Sequence, residues 1–373
     1  MVQRGWEPRT QYHPRVTGAG DTDGESVQAG ENRARHHPVA RAIVAQWRKL
    51  CGGRDLRDSD RATLVACSAG VDSSALALAL GGVNTLIVVG HVVHDLRSRA
   101  EALGDRDAAR ALADRLGVAF AEREAPVRDR GENLESAARS ARYAALESMA
   151  REHACRFVAT AHHADDQLET VLMRLIRGSG PRGLGGIAPT RLMGRRSDSV
   201  TIVRPMLGMD REQGLRLCRD LGWTWREDAS NRDETYFRNA LRARVLPEIK
   251  AIRSDAAERA AVTAEVCRLA ADAIERRARL ILNRATKELD DSPHMLRLDR
   301  KTLAAAPMAV RCEALRMMLR DFGGTGLDRA GWSVLEPAAS SIGDGRTEPR
   351  THRVGSIVLA VRAHEVLVSE AVS

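Results

Sequence analysis

Between residues 63 and 203 the chain repeats one pattern: an apolar run of strand length, then a longer stretch with helical period. The runs are Thr63–Cys67, Thr85–Val93, Val118–Arg123, Phe157–Ala161 and Ser199–Val203. Helices are expected between them at 73–81, 98–116, 132–153 and 164–177. The third of these, ENLESAARSARYAALESMAREHA, keeps Leu134, Ala137, Ala138, Ala141, Ala145 and Met149 at spacings of three and four. Strands that alternate with helices run parallel, because each helix carries the chain back to the end it left. The resulting sheet is covered on both faces, an α/β fold. Such sheets bind ligands outside the carboxyl ends of their strands, so the residues after each run matter most.

The pattern has limits on both sides. Residues 1–38 are polar, Gly-rich and without hydrophobic period, and read as a disordered tail. After Pro247 the texture changes to a long Ala/Arg/Glu-rich helix over about 255–290, further helices at 307–322 and 327–341, and a final stretch that reads as a short hairpin. The expected domains are therefore 39–250, α/β, and 251–373, a smaller mixed α+β domain.

Charge narrows the partner. The chain of 373 residues carries a net charge of +8, mostly from arginine, which favours an anionic partner with nucleic acid first. Aromatic residues are 3%, so Ala, Leu and Val must fill the cores. Six cysteines, at 51, 67, 155, 218, 267 and 312, form no Cys-x-x-Cys pair, so neither a zinc ribbon nor a dithiol site is written here. Cys67 and Cys155 read as buried thiols. No signal peptide and no membrane-spanning apolar run is seen, and a reducing cytoplasm is the expected location.

The first strand runs into Ser68-Ala-Gly-Val-Asp-Ser73 and then directly into a helix. Unsatisfied backbone N–H groups and the helix dipole favour an anion there, and the hydroxyls of Ser68, Ser73 and Ser74 add donors. The turn is thus a phosphate cradle, although it lacks the Gly-Lys-[Ser/Thr] ending of a Walker A loop. Asp72 would repel a phosphate unless a cation lay between them, which implies magnesium. The plain alternative is a strand-to-helix turn capped by serines.

This turn resembles the Ser-Gly-Gly-x-Asp-Ser loop of the PP-loop ATP pyrophosphatases. Ala69 departs from that pattern, at a cost on the order of 1 kcal/mol if the position needs a positive φ. Four further stretches, HDLRSRAE, NLESAARSARY, AHHADDQLETVLMRLIRGSGPRGLGGI and DASNRDETYFRNALRARVLP, resemble in order and spacing the tRNA(Ile)-lysidine synthase family. The likeness covers about residues 60–250 and continues more weakly through GLDRAGWSVLE and the last strands.

The resemblance implies a parallel-sheet PP-loop domain and an ATP-dependent ligase. Its partners would be L-lysine and an isoleucine tRNA with a CAU anticodon, and its cofactors ATP and Mg2+. By the same likeness, Ser68, Ala69, Gly70, Val71, Asp72 and Ser73 form the ATP loop. Asp72 and Asp166 are the metal carboxylates. Asp72, His162, Asp166, Arg142 and Arg238 are the catalytic set, and Arg174, Arg177, Arg182 and Arg242 contact tRNA. Asp166 stands four residues after His162, so both share a face if the helix starts there. Glu169 orients neighbours or pairs with an arginine. Asn231 and Asn239 shape a loop, and Glu135, Asp166, Glu169 and Asp228 are the acids open to the lysine amine. The oligomeric state stays open, a homodimer included. The rival readings are a tRNA thiolase, an amidotransferase and a non-catalytic tRNA-binding relative.

Overall fold

A computed structural model describes residues 34–83, 86–94, 98–126, 134–194, 199–226, 237–287, 295–321 and 331–370. Its helices in chain order are α1 Pro38–Leu50, α2 Val71–Gly81, α3 Arg99–Arg115, α4 Leu134–Glu152, α5 Ala164–Ile176, α6 Pro181–Leu184, α7 Arg211–Asp220, α8 Phe237–Ala240, α9 Leu246–Ile252, α10 Ala256–Ala285, α11 Arg300–Ala304, α12 Met308–Asp321 and α13 Trp332–Gly343. The strands are β1 Thr63–Ala66, β2 Ile87–His94, β3 Ala119–Ala125, β4 Phe157–Ala159, β5 Thr190–Met193, β6 Val200–Val203, β7 Met295–Asp299, β8 Arg350–Val354, β9 Ile357–Val361 and β10 Glu365–Glu370. They fall into two compact units. Of the described residues, one comprises those up to Ala161, Thr190–Pro205 and those of 212–226, the other His162–Pro189, Met206–Arg211 and those from Phe237 on.

The first unit holds a six-stranded sheet in the order β3-β2-β1-β4-β6-β5. β1 pairs parallel with β2 and β4, β2 with β3, and β4 with β6. The five expected strands all form. The sixth, β5, runs antiparallel to β6, with Thr190 opposite Val203. It was not legible because three of its four residues are exposed, leaving no apolar run to read. The sheet is also covered by a helix the pattern did not announce, α1, which buries Val39, Ala40, Ile43, Val44 and Trp47 and packs on α2.

Alternation along β1 sorts the two faces. Thr63 Oγ1 accepts a hydrogen bond from Trp47 Nε1 of α1 at 3.2 Å. Leu64 points the other way, into a core with Tyr143, Leu146 and Met149 of α4 and Ile202 of β6. The strand order reverses between β1 and β4, so the switch point of the sheet lies at their carboxyl ends.

The second unit contains α5, α6 and α8–α13 with a four-stranded antiparallel sheet, β7-β10-β9-β8. The final stretch, expected as one hairpin, forms three consecutive strands. β7 then pairs with β10 at the other edge, Val366 opposite Leu298. β7 was missed because only Leu298 of its five residues is fully buried. The long helix α10 is close to its expected span, and its buried stripe reaches from Ala257 to Ala285. Among the described residues no helix is long and apolar enough to cross a membrane.

Candidate active site

β1 ends at Ala66, and the chain turns through Cys67–Gly70 into α2. Gly70 is the N-cap of α2, in extended geometry at φ −74° and ψ 164°. Ser73 closes the turn from inside: its Oγ donates to the Gly70 carbonyl at 3.0 Å and accepts from the Ser68 N–H at 3.2 Å. Ser73 is 6% exposed, whereas Ser68 is on the surface, 3.2 Å away between the two Oγ atoms. The first α-helical bond runs from the Ser74 N–H to the Gly70 carbonyl at 3.0 Å. The amides of the first turn precede that bond and have no place in the helical ladder, as at any helix N-terminus.

Ala69 adopts φ 64°, in the left-handed region that costs an alanine about 1–2 kcal/mol. Its carbonyl accepts from the Arg226 N–H at 3.1 Å, and the residue is 2% exposed, so its methyl faces protein. Behind the turn, His91 on β2 is buried and holds the Cys67 carbonyl through Nδ1 at 2.8 Å. A carbonyl only accepts, so Nδ1 carries the proton. Burial lowers the His91 pKa, partly opposed by that bond and by Asp105 and Glu122. Cys67 and Cys218 are both buried beneath the turn. Burial pushes the Cys218 thiol up to about 12, and the thiols of Cys51 and Cys155 likewise.

The second unit builds a separate cluster at the start of α5. His163 is the N-cap, so His162 lies one residue outside the helix and the expected shared face with Asp166 does not form. Asp166 Oδ2 accepts from the His163 N–H at 3.0 Å, and its Oδ1 accepts from Arg242 Nη2 at 3.1 Å. One turn on, Glu169 is fully buried and takes Arg238 of α8 and Arg242 of the turn after it. Arg242 Nε lies 3.0 Å from Oε2, and Arg238 Nε bonds Oε1. Burial would raise the Asp166 pKa, but His163, His162 and Arg242 outweigh it and hold the carboxyl ionised. Asp165 faces away, accepting from Lys250 Nζ at 2.6 Å and from the Arg211 N–H at 2.9 Å. It falls well below the usual range: burial opposes this, and His163 and Lys250 overcome it.

The remaining predicted residues divide by what they touch. Arg174 Nη1 donates to the carbonyls of Gly183 and Gly186 at 2.6 and 2.8 Å, which ties the Gly-rich loop to α5. Arg182 binds Glu275 of α10 and Glu313 of α12. Arg177 is exposed at the C-cap of α5. Arg142 is exposed on α4, and Asn239 is half-buried in α8. Asp228 and Asn231 lie outside the described residues, as does the side chain of Glu135. Sequence reasoning missed His91, His163, Lys250 and Arg226. His163 stood inside a quoted stretch. Arg226 acts through its backbone, which no side-chain pattern can announce.

A loop closed by its own serine, opening onto helix amides at the switch point of a parallel sheet, defines the PP-loop class of nucleotide-binding domain. Residues 40–249 match the family described as PP-loop domain. The tRNA(Ile)-lysidine synthase of Rhodopirellula baltica is 36% identical over 245 residues, 60% of this chain and 60% of that protein. That of Thermus thermophilus is 37% identical over 265 residues, 70% of this chain and 49% of that one. That of a Nostoc species is 30% identical over 295 residues, 75% of this chain and 83% of that protein. The chain belongs to the tRNA(Ile)-lysidine synthase family. It spans 60% and 49% of the length of the first two of these relatives.

Proposed function

We propose that this chain ligates L-lysine to C2 of the wobble cytidine of a tRNA(Ile) with a CAU anticodon. In the first step the C2 carbonyl oxygen attacks the α-phosphorus of ATP. An O–P bond forms, the bond between the α- and β-phosphates breaks, and pyrophosphate leaves. In the second step the lysine ε-amine attacks C2, the C–O bond to AMP breaks, and the amine proton passes to solvent or a base. The cytosine carbonyl is a poor electrophile until its oxygen belongs to a leaving group, so the energy of ATP is spent on making that group. Charge builds on phosphate, and positioned donors stabilise it.

The observation that carries this reading is the turn at Ser68–Ser73. It presents the α2 amides where pyrophosphate charge develops, with Ser68 exposed beside them. Asp72 stands in the first turn of α2, where its carboxylate would oppose a bare phosphate. Its hard oxygen donors suit magnesium, which usually takes one or two carboxylates plus phosphate oxygens. Bound there, magnesium would neutralise charge on the leaving pyrophosphate. Asp166, held ionised, is assigned to a cationic partner, and Arg238 and Arg242 fix Glu169 one turn away from it. Arg177 is assigned to tRNA backbone, with Arg174 and Arg182 shaping its loop. Residues 39–250 carry the adenylation and 251–373 contact tRNA in a cytoplasmic enzyme. The chain carries no Cys-x-x-Cys pair, which favours this ligase over a sulfur-transfer enzyme.

The test uses ATP, magnesium, labelled lysine and the CAU tRNA(Ile). Label enters the tRNA if the reading holds. Pyrophosphate release without lysine uptake would assign another adenylating activity. The Asp72→Asn chain loses pyrophosphate release while its tRNA binding stays nearly unchanged, and an active variant would remove the metal role.

A further inference from the structure

The chain leaves α7 at Asp220, and the stretch Leu221–Arg226 that follows is tied to α3 at both ends. At its start, Arg115 donates through Nη1 to the Gly222 carbonyl at 3.1 Å and through Nη2 to the Leu221 carbonyl. The same guanidinium lies over the Trp223 ring, 5.5 Å from the centroid. At its end, Arg226 Nε donates to Asp105 Oδ1 at 2.6 Å. Asp105 precedes Arg115 in α3 whereas Arg226 follows Gly222, so the stretch runs antiparallel to the helix. Gly104 completes a seat for Arg226. A Cβ there would stand 3.1 Å from the guanidinium carbon, so the missing side chain lets the guanidinium lie against α3. The Arg226 side chain is 45% exposed and that of Asp105 14%.

The backbone of the seated residue acts on the ATP turn. The Arg226 N–H donates to the Ala69 carbonyl at 3.1 Å. In a planar trans peptide the carbonyl and the next N–H point in opposite directions. Holding the Ala69 carbonyl against residue 226 therefore aims the Gly70 N–H away from it. Among the described residues that N–H meets no acceptor. The peptide before it shows the same device with both ends filled. His91 holds the Cys67 carbonyl at 2.8 Å, and the Ser68 N–H on the opposite side reaches Ser73 Oγ at 3.2 Å. A peptide held at its carbonyl and open at its N–H is a donor kept ready for a ligand oxygen. Released, it is free to turn its carbonyl toward the phosphates, and the left-handed strain at Ala69 favours rearrangement.

An ion pair with an exposed partner adds little to stability, so the seat matters for where it puts residue 226. We propose that Arg226, seated on Gly104 and Asp105, is a positioning residue for the ATP step: it fixes the Ala69–Gly70 peptide so that the Gly70 N–H is presented to the phosphates. Its guanidinium is engaged by α3 and touches neither ATP nor tRNA in this role. A fixed donor counts most where charge grows, so the effect falls on kcat more than on the KM for ATP. This rests on the tRNA-ligase reading above.

The experiment follows pyrophosphate release by the full chain with ATP, magnesium, lysine and the CAU tRNA(Ile), with tRNA binding and melting temperature measured alongside. Arg226→Ala empties the seat and keeps the backbone N–H. The Gly70 amide is loosened rather than removed, so kcat for pyrophosphate release falls about tenfold. The KM for ATP, the tRNA affinity and the melting temperature stay close to those of the parent. Arg226→Lys keeps a cation for Asp105 and retains most of the rate. Gly104→Leu puts a good helix former in the seat, so it slows the reaction as Arg226→Ala does without lowering the melting temperature. An unaltered kcat in Arg226→Ala overturns the proposal. So does a slower rate matched by weaker tRNA binding or a lower melting temperature, since Arg226 would then contact tRNA or support the fold at large. An Arg226→Lys chain no faster than Arg226→Ala removes the role of the seat. If the unaltered chain releases no pyrophosphate with this tRNA, it is the ligase reading that fails.

Discussion

At the scale of the residue, Ala69 is the position where local preference and the fold disagree. Its φ of 64° costs an alanine about 1–2 kcal/mol. The turn keeps it because the Ser73 hydroxyl, the Arg226 N–H and the buried His91 all fix backbone on either side. Replacing Ala69 by Gly relieves that strain, but gives up a buried methyl worth about 0.8 kcal/mol and adds chain entropy worth about 0.5–1 kcal/mol. The terms offset, so Ala69→Gly shifts the unfolding free energy by less than about 1 kcal/mol. Ala77→Gly, at a fully buried helical site of α2, has nothing to relieve and loses about 1.3–1.8 kcal/mol. Urea unfolding of the two variants checks the contrast; equal losses would show that Ala69 carries no strain. The turn at Ser68–Ser73 and the start of α2 were legible because an apolar run passes there directly into a helical stretch. The left-handed φ stayed open, because an alanine does not announce it and only the glycine of the resembling loop raised it.

At the scale of the element, the Gly-rich loop after α5 is held by α5 itself. Gln167, 1% exposed, bonds both backbone groups of Ile187, at 2.8 Å to the carbonyl and 2.7 Å from the N–H. Gly186 has φ +61°, and a Cβ there would stand 2.1 Å from Gln167 Oε1. Gly186→Ala therefore meets two penalties, left-handed strain and displacement of a buried amide with its hydrogen bonds. It destabilises by about 2–3 kcal/mol, read as a lower urea midpoint at unchanged slope. A midpoint within error of the parent would mean that Gln167 moves without cost. The basic residues of this loop looked alike in sequence. The fold separates them, because Arg174 turns inward to two carbonyls and Arg182 to two carboxylates while Arg177 stays in solvent. Spacing along a helix gives direction only while the helix lasts, and all three sit near its end or beyond.

At the scale of the whole molecule, each unit has its own charged network, and the pH dependence of stability sums them. Asp58 in the first unit is held low by Arg48, chiefly through a hydrogen bond, and also by Arg61. In the second unit Asp165 and Asp166 are held low as described, and Glu313 is held low by Arg316 and Arg182 against its burial. A carboxyl whose pKa is depressed by folding contributes stability above its unfolded value, about 3.9 for Asp and 4.3 for Glu, and loses it as pH falls through the folded value. His91 works in a higher window. Its pKa is also depressed, so the unfolded chain takes up the proton first and stability begins to fall below about pH 6.5. The melting temperature should decline gently from about pH 6.5 and steeply below about pH 4. In His91→Gln the gentle decline disappears and the steep one remains; its persistence would place the upper titration elsewhere.

The sequence by itself determined the alternating strands and helices, the parallel core of the first sheet, the turn at Ser68–Ser73 and the likeness to the lysidine synthase family. Those features depend on periodicity and on local backbone chemistry, which neighbouring residues carry. Tertiary structure alone decided the antiparallel edge of β5, the third strand and β7 partner of the last sheet, and the left-handed Ala69. It also decided the pairing of Glu169 with Arg238 and Arg242, and the seating of Arg226 on Gly104 and Asp105. Each of these sets residues far apart in the chain against one another, and burial and charge then act between groups that no local window contains.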